Sequence, residues 1–215
     1  MTYLIVDLAN TFYRARHSAY RSTTSEEKVA LAMHIVLSSI AKCWREQKAD
    51  HVVFALEGRS WRKDHYAPYK RNRSEARGAA TPAEQAEDQM FWDANDSLAT
   101  FLDERTNCTV LHHPQLEADD LIAGWIQNHP DDQHVIVSSD TDYVQFLTAN
   151  VRQYNGITDE LITLTGIFDG RGKPVKDRKT GEAKTAPDPQ WLLFEKCMRG
   201  DTSDNIFSAF PGVRT

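Results

Sequence analysis

Acidic residues in this sequence fall in five short clusters, and most of these clusters follow apolar runs with the composition of β-strands. Asp7 directly follows the run YLIV, Glu57 follows VVFAL, and Asp140 follows HVIVSS. The nine acids of the five clusters are Asp7, Glu57, Glu117, Asp119, Asp120, Asp140, Asp142, Asp201 and Asp204. Open α/β sheets bind their ligands at the carboxyl ends of their strands. The pattern therefore predicts an α/β protein with an acidic site at one edge of its sheet.

The clustered acids indicate a site for divalent cations. Nine carboxylates could not share a small volume as bare charges, because like charges raise one another's pKa until some are protonated. Bound divalent cations remove this conflict. The donor atoms are all oxygen and no Cys or His pattern lies nearby, so the set favours Mg²⁺ or Mn²⁺ over Zn²⁺.

The net charge of −6 does not exclude a nucleic-acid partner. Removing the nine clustered acids from a total of 31 leaves 22 acids against 25 Lys and Arg, a balance of +3 outside the proposed site. The three cysteines are odd in number and scattered, which indicates neither a disulfide framework nor a metal knuckle. With no signal-peptide pattern and no long apolar run, we expect a cytoplasmic protein without a membrane segment, in the host cytoplasm if a phage encodes it.

Strand and helix patterns alternate along the chain. Short apolar runs predict strands at 3–6, 51–56, 108–111 and 134–138. Apolar residues at helical spacing predict helices at 26–47, 84–104 and 116–128, and Asp188-Pro189 predicts the start of a helix that continues to Arg199. Thr23 or Thr24 is the expected N-cap of the first helix. This alternation is typical of a mostly parallel central sheet flanked by helices.

Two segments interrupt the alternation. Residues 59–82 are basic and aromatic, and the stretch from Arg59 to Arg77 contains seven Lys or Arg and only two acids. Bases stack on aromatic rings while Lys and Arg bind phosphates, so this mixture favours nucleic-acid binding over a merely solvated surface. Residues 165–187 contain four glycines, two prolines and six Lys or Arg, which predicts a mobile hairpin or loop.

Individual acids also admit ordinary structural roles. Glu117, Asp119 and Asp120 open a helix, where acids complement the helix dipole even without a metal. Strand-ending Asp140 is equally typical of an N-cap. Asp7 is not the nucleophile of an aspartyl-phosphate phosphatase, because such enzymes need a second Asp two residues later and this chain has Ala9 there.

Four motifs, in order, resemble those of the 5′-nuclease (flap endonuclease) superfamily. They are LIVDLAN, WRKDHYAPYKRNR, the pair LEADDLIA and SSDTDYVQF, and MRGDTSDNIFSAFPGV. The chain is most similar to the compact bacteriophage 5′–3′ exonucleases and to the related domain of bacterial DNA polymerase I. One motif would be weak support, whereas four at the right spacing along nearly the whole chain are strong support.

The resemblance implies two metal ions, Mg²⁺ or Mn²⁺, held by the nine acids. The ligands implied for the first ion are Asp7, Glu57, Glu117, Asp119 and Asp140, with Asp120 adjacent. Those implied for the second ion are Asp142, Asp201 and Asp204, with Asp140 bridging. The family usually has Asp where this chain has Glu57, which is one methylene longer.

The resemblance also implies a DNA-binding surface. Lys70 and Arg73 are expected to act catalytically at the scissile phosphate. The expected DNA contacts are Arg62, Lys63, Tyr66, Tyr69, Arg71 and Gly212. Residues 1–199 would form a PIN-like 5′-nuclease domain with a basic helical arch at about 60–95, and residues 200–215 the truncated start of a helix–turn–helix-like duplex-binding element.

The function implied is a metal-dependent 5′–3′ exonuclease and 5′-flap endonuclease that hydrolyses DNA in phage replication or repair. The expected substrates are DNA with 5′ ends, flaps or nicks, and an RNA–DNA hybrid is compatible with the same site. We expect a monomer, and a replication protein is a candidate partner. The alternatives are a PIN-type ribonuclease, which uses fewer acids, and a non-catalytic DNA-binding factor of the same fold.

Overall fold

The computed structural model describes residues 1–19 and 24–210. Its strands are β1 (Thr2–Asp7), β2 (His51–Ala55), β3 (Thr109–Leu111), β4 (Gln133–Val137), β5 (Val151–Asn155), β6 (Glu160–Thr163) and β7 (Gly166–Asp169). Its helices are α1 (Leu8–Ser18), α2 (Ser25–Gln47), α3 (Arg62–His65), α4 (Arg71–Gly78), α5 (Pro82–Arg105), α6 (Ala118–Asn128) and α7 (Pro189–Arg199), with a 3-10 helix at Thr141–Phe146.

The strands form one sheet in the order β3-β2-β1-β4-β5-β6-β7. The pairs from β3 to β5 are all parallel, whereas β6 and β7 add antiparallel to one side. The predicted α/β fold with a mostly parallel sheet is therefore confirmed. The strand order reverses between β1 and β4, and such a switch point opens a crevice at the carboxyl ends of the two strands. Asp7 ends β1 beside this crevice, and Asp140 follows β4.

The central strands are buried on both faces, which explains why they read as continuous apolar runs. In β1, Leu4 and Val6 pack into one core with residues of α2 and α5. Ile5 packs into a second core on the opposite face with Ile122 of α6. Because successive side chains of a strand point to opposite faces, a shift of one residue would exchange these two environments. The pairing register of β1, and with it the position of Asp7, is therefore strongly specified.

Capping residues fix where the helices begin. Thr24 accepts a hydrogen bond from the backbone N–H of Glu27 and caps α2, while the alternative cap Thr23 lies outside the described residues. Asp188 caps α7 as predicted, accepting hydrogen bonds from the N–H groups of residues 190 and 191. No helix among the described residues is long and apolar enough to cross a membrane.

The predicted hairpin or loop at 165–187 begins as a hairpin, because Gly166–Asp169 is β7 and pairs with β6. The basic segment contains two short helices, α3 and α4. These two helices and part of α5 occupy the range of the expected arch, and an arch over the site stays a prediction.

Candidate metal centre

Asp7 is buried at the switch point of the sheet, with 7% of the residue exposed. One carboxylate oxygen accepts a hydrogen bond from the N–H of Asn10 at 3.1 Å, so Asp7 is also the N-cap of α1. The other oxygen accepts from the hydroxyls of Ser138 at 3.2 Å and Tyr143 at 3.0 Å. Burial raises the pKa of Asp7 to about 7, the hydrogen bond from Asn10 opposes the rise, and the charge of Glu57 adds to it. A cation beside Asp7 would favour its ionised form.

Glu57 and Glu117 are brought together by two chain segments that run side by side. Backbone hydrogen bonds join Leu56 to Leu111 and Gly58 to Leu116, each at 2.9 Å. A Cβ at position 58 would lie 2.2 Å from the carbonyl oxygen of His113, so only glycine fits here. The Glu57 carboxylate accepts from the N–H of Ala118 at 3.1 Å, at the first turn of α6.

Three acids at the start of α6 form the most compact group of possible ligands among the described residues. Glu117, Asp119 and Asp120 each offer a carboxylate oxygen, and these oxygens lie within 4.8 Å of one another. Burial raises the pKa of Asp119 to about 6, opposed first by the charge of Arg62. Burial alone would raise the pKa of Glu117, but hydrogen bonds from Lys70 and Ser60 outweigh it and lower that pKa.

Cations from the basic segment neutralise this acidic group. Arg62 donates to Glu117 at 2.8 Å and to both oxygens of Asp120 at 2.8 and 2.9 Å. Lys70 donates to Glu117 at 2.5 Å, and its Nζ lies 3.8 Å from a carboxylate oxygen of Asp204. The sequence predicts that Arg62 contacts DNA and that Lys70 acts at the scissile phosphate. In this structure both side chains bind carboxylates.

A second acidic group follows β4 and α7. Asp140 caps the 3-10 helix by accepting from the N–H of Asp142 at 3.0 Å, so its alternative role as an N-cap is realised. Lys196 of α7 bridges Asp142 and Asp201, with a distance of 2.7 Å to Asp201. Asp204 pairs with Arg73. Hydrogen bonds from Lys196 and Ser203 outweigh the effect of burial and lower the pKa of Asp201 to about 2.

Hydrogen bonds join the loop of Lys70 to the loop of Asp204. The N–H of Lys70 donates to the carbonyl oxygen of Asp204 at 2.9 Å, and the side chain of Asn205 donates to the carbonyl oxygen of Pro68 at 2.8 Å. Lys70 and Asn205 both have left-handed backbones, with φ of 53° and 57°. Such conformations are uncommon for residues other than glycine, and they cluster at functional sites.

The donor set fits hard divalent cations. The compact group at the start of α6 consists of carboxylates alone. Carboxylate oxygens are the ligands that magnesium and manganese prefer. This group therefore fits a divalent cation.

The family of the chain follows from its sequence. Residues 2–171 match the model of the 5′-3′ exonuclease N-terminal resolvase-like domain. The chain belongs to this family. The residues that match this exonuclease-family model include the motifs around Asp7, Glu117 and Asp140.

Relatives of the exonuclease-family chain include polymerases and a phage nuclease. DNA polymerase I of Rhizobium leguminosarum is 27% identical over 164 residues, which are 75% of this chain and 14% of the polymerase. The flap endonuclease of Escherichia phage T5 is 24% identical over 206 residues, covering 94% of this chain and 63% of the relative. This chain thus spans less than two thirds of both relatives.

The fold is also that of a solved phage nuclease. The bacteriophage T5 flap endonuclease, in a pseudo-enzyme–product complex with DNA and metal ions, superposes with a TM-score of 0.72 at 22% identity. The match covers 100% of this chain and 71% of that one.

The predicted DNA contacts differ in their surroundings. Arg71 is exposed and pairs with Glu75, Lys63 is half-buried, and Tyr66 is exposed. Tyr69 is buried, and its hydroxyl donates to Glu117 at 3.0 Å. Gly212 lies outside the described residues. The assignments of all these residues to DNA contact stay predictions.

Sequence reasoning missed the polar side chains that support the acids. Lys196 is the main omission, because a lysine on the face of an amphipathic helix looks like an ordinary solvated residue. Tyr143 and Ser138 belong to the motif SSDTDYVQF, in which the sequence assigns a role only to the acids. The available signal was the polar pair Ser138-Ser139 directly after a buried strand.

Proposed function

We propose that this chain is a metal-dependent 5′–3′ exonuclease and 5′-flap endonuclease that hydrolyses DNA phosphodiesters with two Mg²⁺ or Mn²⁺ ions. One observation carries the proposal: acids from five separate segments lie close enough to influence one another's pKa or to share a cation. The cations that pair with these acids are Arg62, Lys70, Arg73 and Lys196. The acidic group at Glu117 supports a divalent ion, and the phage relative is named a flap endonuclease. The DNA and metal ions in the complex of the structural neighbour support the same substrate class.

We assign the two acidic groups to two ions. Asp7, Glu57, Glu117 and Asp119 would serve the first, with Asp120 adjacent. The second would be served by Asp142, Asp201 and Asp204, with Asp140 shared between the ions. When bound, such ions supply a lowered pKa for the attacking water and positive charge at the phosphate and the leaving oxygen.

The protein's own cations would position and stabilise the phosphate. Lys70 pairs with Glu117, and its Nζ lies 3.8 Å from Asp204, which we assign to the other ion. Its charge therefore lies between the two groups, where a scissile phosphate would bind, and Arg73 pairs with Asp204 on the side of the second ion. Charge-assisted hydrogen bonds to phosphate oxygens are about twice as strong as neutral ones. Lys196, which bridges Asp142 and Asp201, would add a further cation on the side of the second ion.

The proposal also divides the chain. Residues 1–199 would form the catalytic domain, with α3, α4 and the start of α5 in the arch, and residues from 200 onwards would begin the duplex-binding element. DNA with a free 5′ end, a flap or a nick would be cut to leave 5′-phosphate and 3′-hydroxyl ends.

A product map tests this function. The purified chain is incubated with 5′-flap, nicked, blunt and circular single-stranded DNA, in Mg²⁺ and in EDTA, and the product lengths are measured. We expect products from the substrates with 5′ ends in Mg²⁺, and none in EDTA. Cleavage of circular single strands at the same rate as flaps would contradict a 5′-end requirement, and preferential cleavage of RNA would favour a PIN-type ribonuclease.

A further inference from the structure

An open aromatic groove lies beside the metal centre. It has a volume of about 590 Å³, and its apolar walls are Trp61, Tyr66, Tyr69, Ile206 and Phe207. Two of the rings are unusually exposed, with 41% of Trp61 and 70% of Phe207 accessible to solvent. Exposed aromatic rings that line one cavity are typical of a binding surface.

Backbone contacts fix the position of the segment that carries Phe207. Gly200 has a left-handed backbone with φ of 76°, and a Cβ there would lie 2.4 Å from the carbonyl oxygen of Ile206. Asp201 and Ile206 exchange backbone hydrogen bonds of 2.9 and 2.7 Å, which closes the loop between them. The same loop carries Asp204, so the position of Phe207 is tied to that of a proposed metal ligand.

The groove is continuous with the acidic group at α6. The ring of Tyr69 forms part of its wall, and the hydroxyl of this residue donates to Glu117 at 3.0 Å. The guanidinium of Arg62 lies 5.1 Å from the centre of the Trp61 ring and donates to Asp120 at 2.8 Å. A ligand in the groove would thus have an aromatic surface on one side and cations and the proposed metal site on the other.

We infer that this groove binds an unpaired nucleobase that flanks the scissile phosphate, by stacking it against Phe207 and Trp61. The inference rests on the proposed function and names a binding site within it. A nucleotide combines a flat π-surface with an attached phosphate, and the groove offers rings next to Arg62 and Lys70. Stacking accepts any base, because every base has a π-face. The groove would therefore hold the strand in position without selecting its sequence.

The test removes the ring and the base separately and together. The affinity of wild type and Phe207→Ala for 5′-flap DNA is measured by anisotropy in Ca²⁺. The flaps are intact or lack one base within two nucleotides of the cleavage position mapped for the wild type. We expect Phe207→Ala to bind the intact flap about tenfold more weakly than the wild type does. For one of the abasic flaps, we expect Phe207→Ala and the wild type to bind with equal affinity. Phe101→Ala, which removes a ring of similar exposure from α5, should change neither affinity.

Two further measurements keep the outcome decisive. Urea unfolding shows whether Phe207→Ala is folded, and Trp61→Ala provides a second variant of the same groove with the same expected coupling. An equal loss of affinity for intact and every abasic flap would overturn the inference. Cleavage by the wild type in Mg²⁺ is measured on the same preparation. If the wild type cleaves DNA but the effect of Phe207→Ala does not depend on the base, only the binding of a base in the groove is refuted. If the wild type cleaves no DNA with a 5′ end, the proposed function is refuted as well.

Discussion

Replacing Asp7 by Asn should stabilise the metal-free protein, even though it removes a proposed metal ligand. Asp7 is buried, and the negative charge of Glu57 repels its own, so the pKa of Asp7 is raised to about 7. Asn has almost the same shape. Its oxygen can accept from the N–H of Asn10, and its amide can donate to the hydroxyls of Ser138 and Tyr143, which now donate to the carboxylate.

The magnitude follows from linkage. A carboxyl whose folded-state pKa is raised destabilises the protein only where it is ionised in the unfolded chain, above pH about 4. The penalty grows by about 1.4 kcal/mol per pH unit and levels off above the folded pKa of about 7. Its full size is therefore about 4 kcal/mol at pH 8, and about 1–2 kcal/mol at pH 5. The advantage of Asp7→Asn should widen by about 2–3 kcal/mol between these two pH values.

Urea unfolding in EDTA at pH 5 and pH 8 measures this difference. Asp103→Asn, at an exposed position on α5, is the control for loss of a carboxylate, because this side chain lacks the burial that penalises the charge of Asp7. Added Mg²⁺ should stabilise the wild type more than Asp7→Asn, because a ligand stabilises only the state that binds it. If Asp7→Asn were no more stable than the wild type at pH 8 in EDTA, the buried charge of Asp7 would not destabilise the folded protein, and the reasoning from its burial would be refuted.

Three further outcomes are expected. Calcium should support flap binding but not turnover, because it is larger and accepts looser geometry than magnesium, and cleavage in Ca²⁺ at the Mg²⁺ rate would contradict this. Lys70→Ala should lower the single-turnover cleavage rate more than flap affinity, and an equal loss in both would make Lys70 an ordinary backbone contact. Gly58→Ala should lower the free energy of unfolding by about 1–3 kcal/mol, because its Cβ would meet the carbonyl oxygens of His113 and Leu116. The control Gly78→Ala, whose Cβ meets nothing within 4 Å, should not destabilise.

The sheet and the acids could be predicted from the sequence because both depend on local patterns. The runs before Asp7 and Asp140 are buried on both faces and so read as continuous apolar strands. The convergence of their acids follows from parallel pairing alone. By contrast, β5 is part polar, VRQYN, and α1 follows β1 directly after Asp7, so neither element has a clear periodic signal in the sequence.

The arrangement of charges around the acids could not be predicted, because it depends on contacts between distant parts of the chain. Arg73 pairs with Asp204, 131 residues away, and Lys196 pairs with Asp142, 54 residues away. A basic motif suggests phosphate contact but does not show that its cations also neutralise carboxylates. The groove is a similar case, since Trp61 and Phe207 line one cavity although they are far apart in the sequence, and backbone hydrogen bonds join the loops at Lys70 and Asp204.

The most direct test of the metal-centre account is the Mg²⁺ dependence of single-turnover flap cleavage by the wild type and by Asp140→Asn. Asp140 is the ligand that we assign to both ions, so its loss should affect chemistry more than DNA binding. With two ions bound as proposed, we expect no wild-type cleavage in EDTA and a rate that rises more steeply than first order in Mg²⁺. We also expect Asp140→Asn to cleave at least about a thousandfold more slowly, on the order expected for loss of several kcal/mol of transition-state stabilisation, while its flap affinity stays within a few-fold. Wild-type cleavage in EDTA, or cleavage by Asp140→Asn within a few-fold of the wild-type rate, would contradict the proposed metal centre.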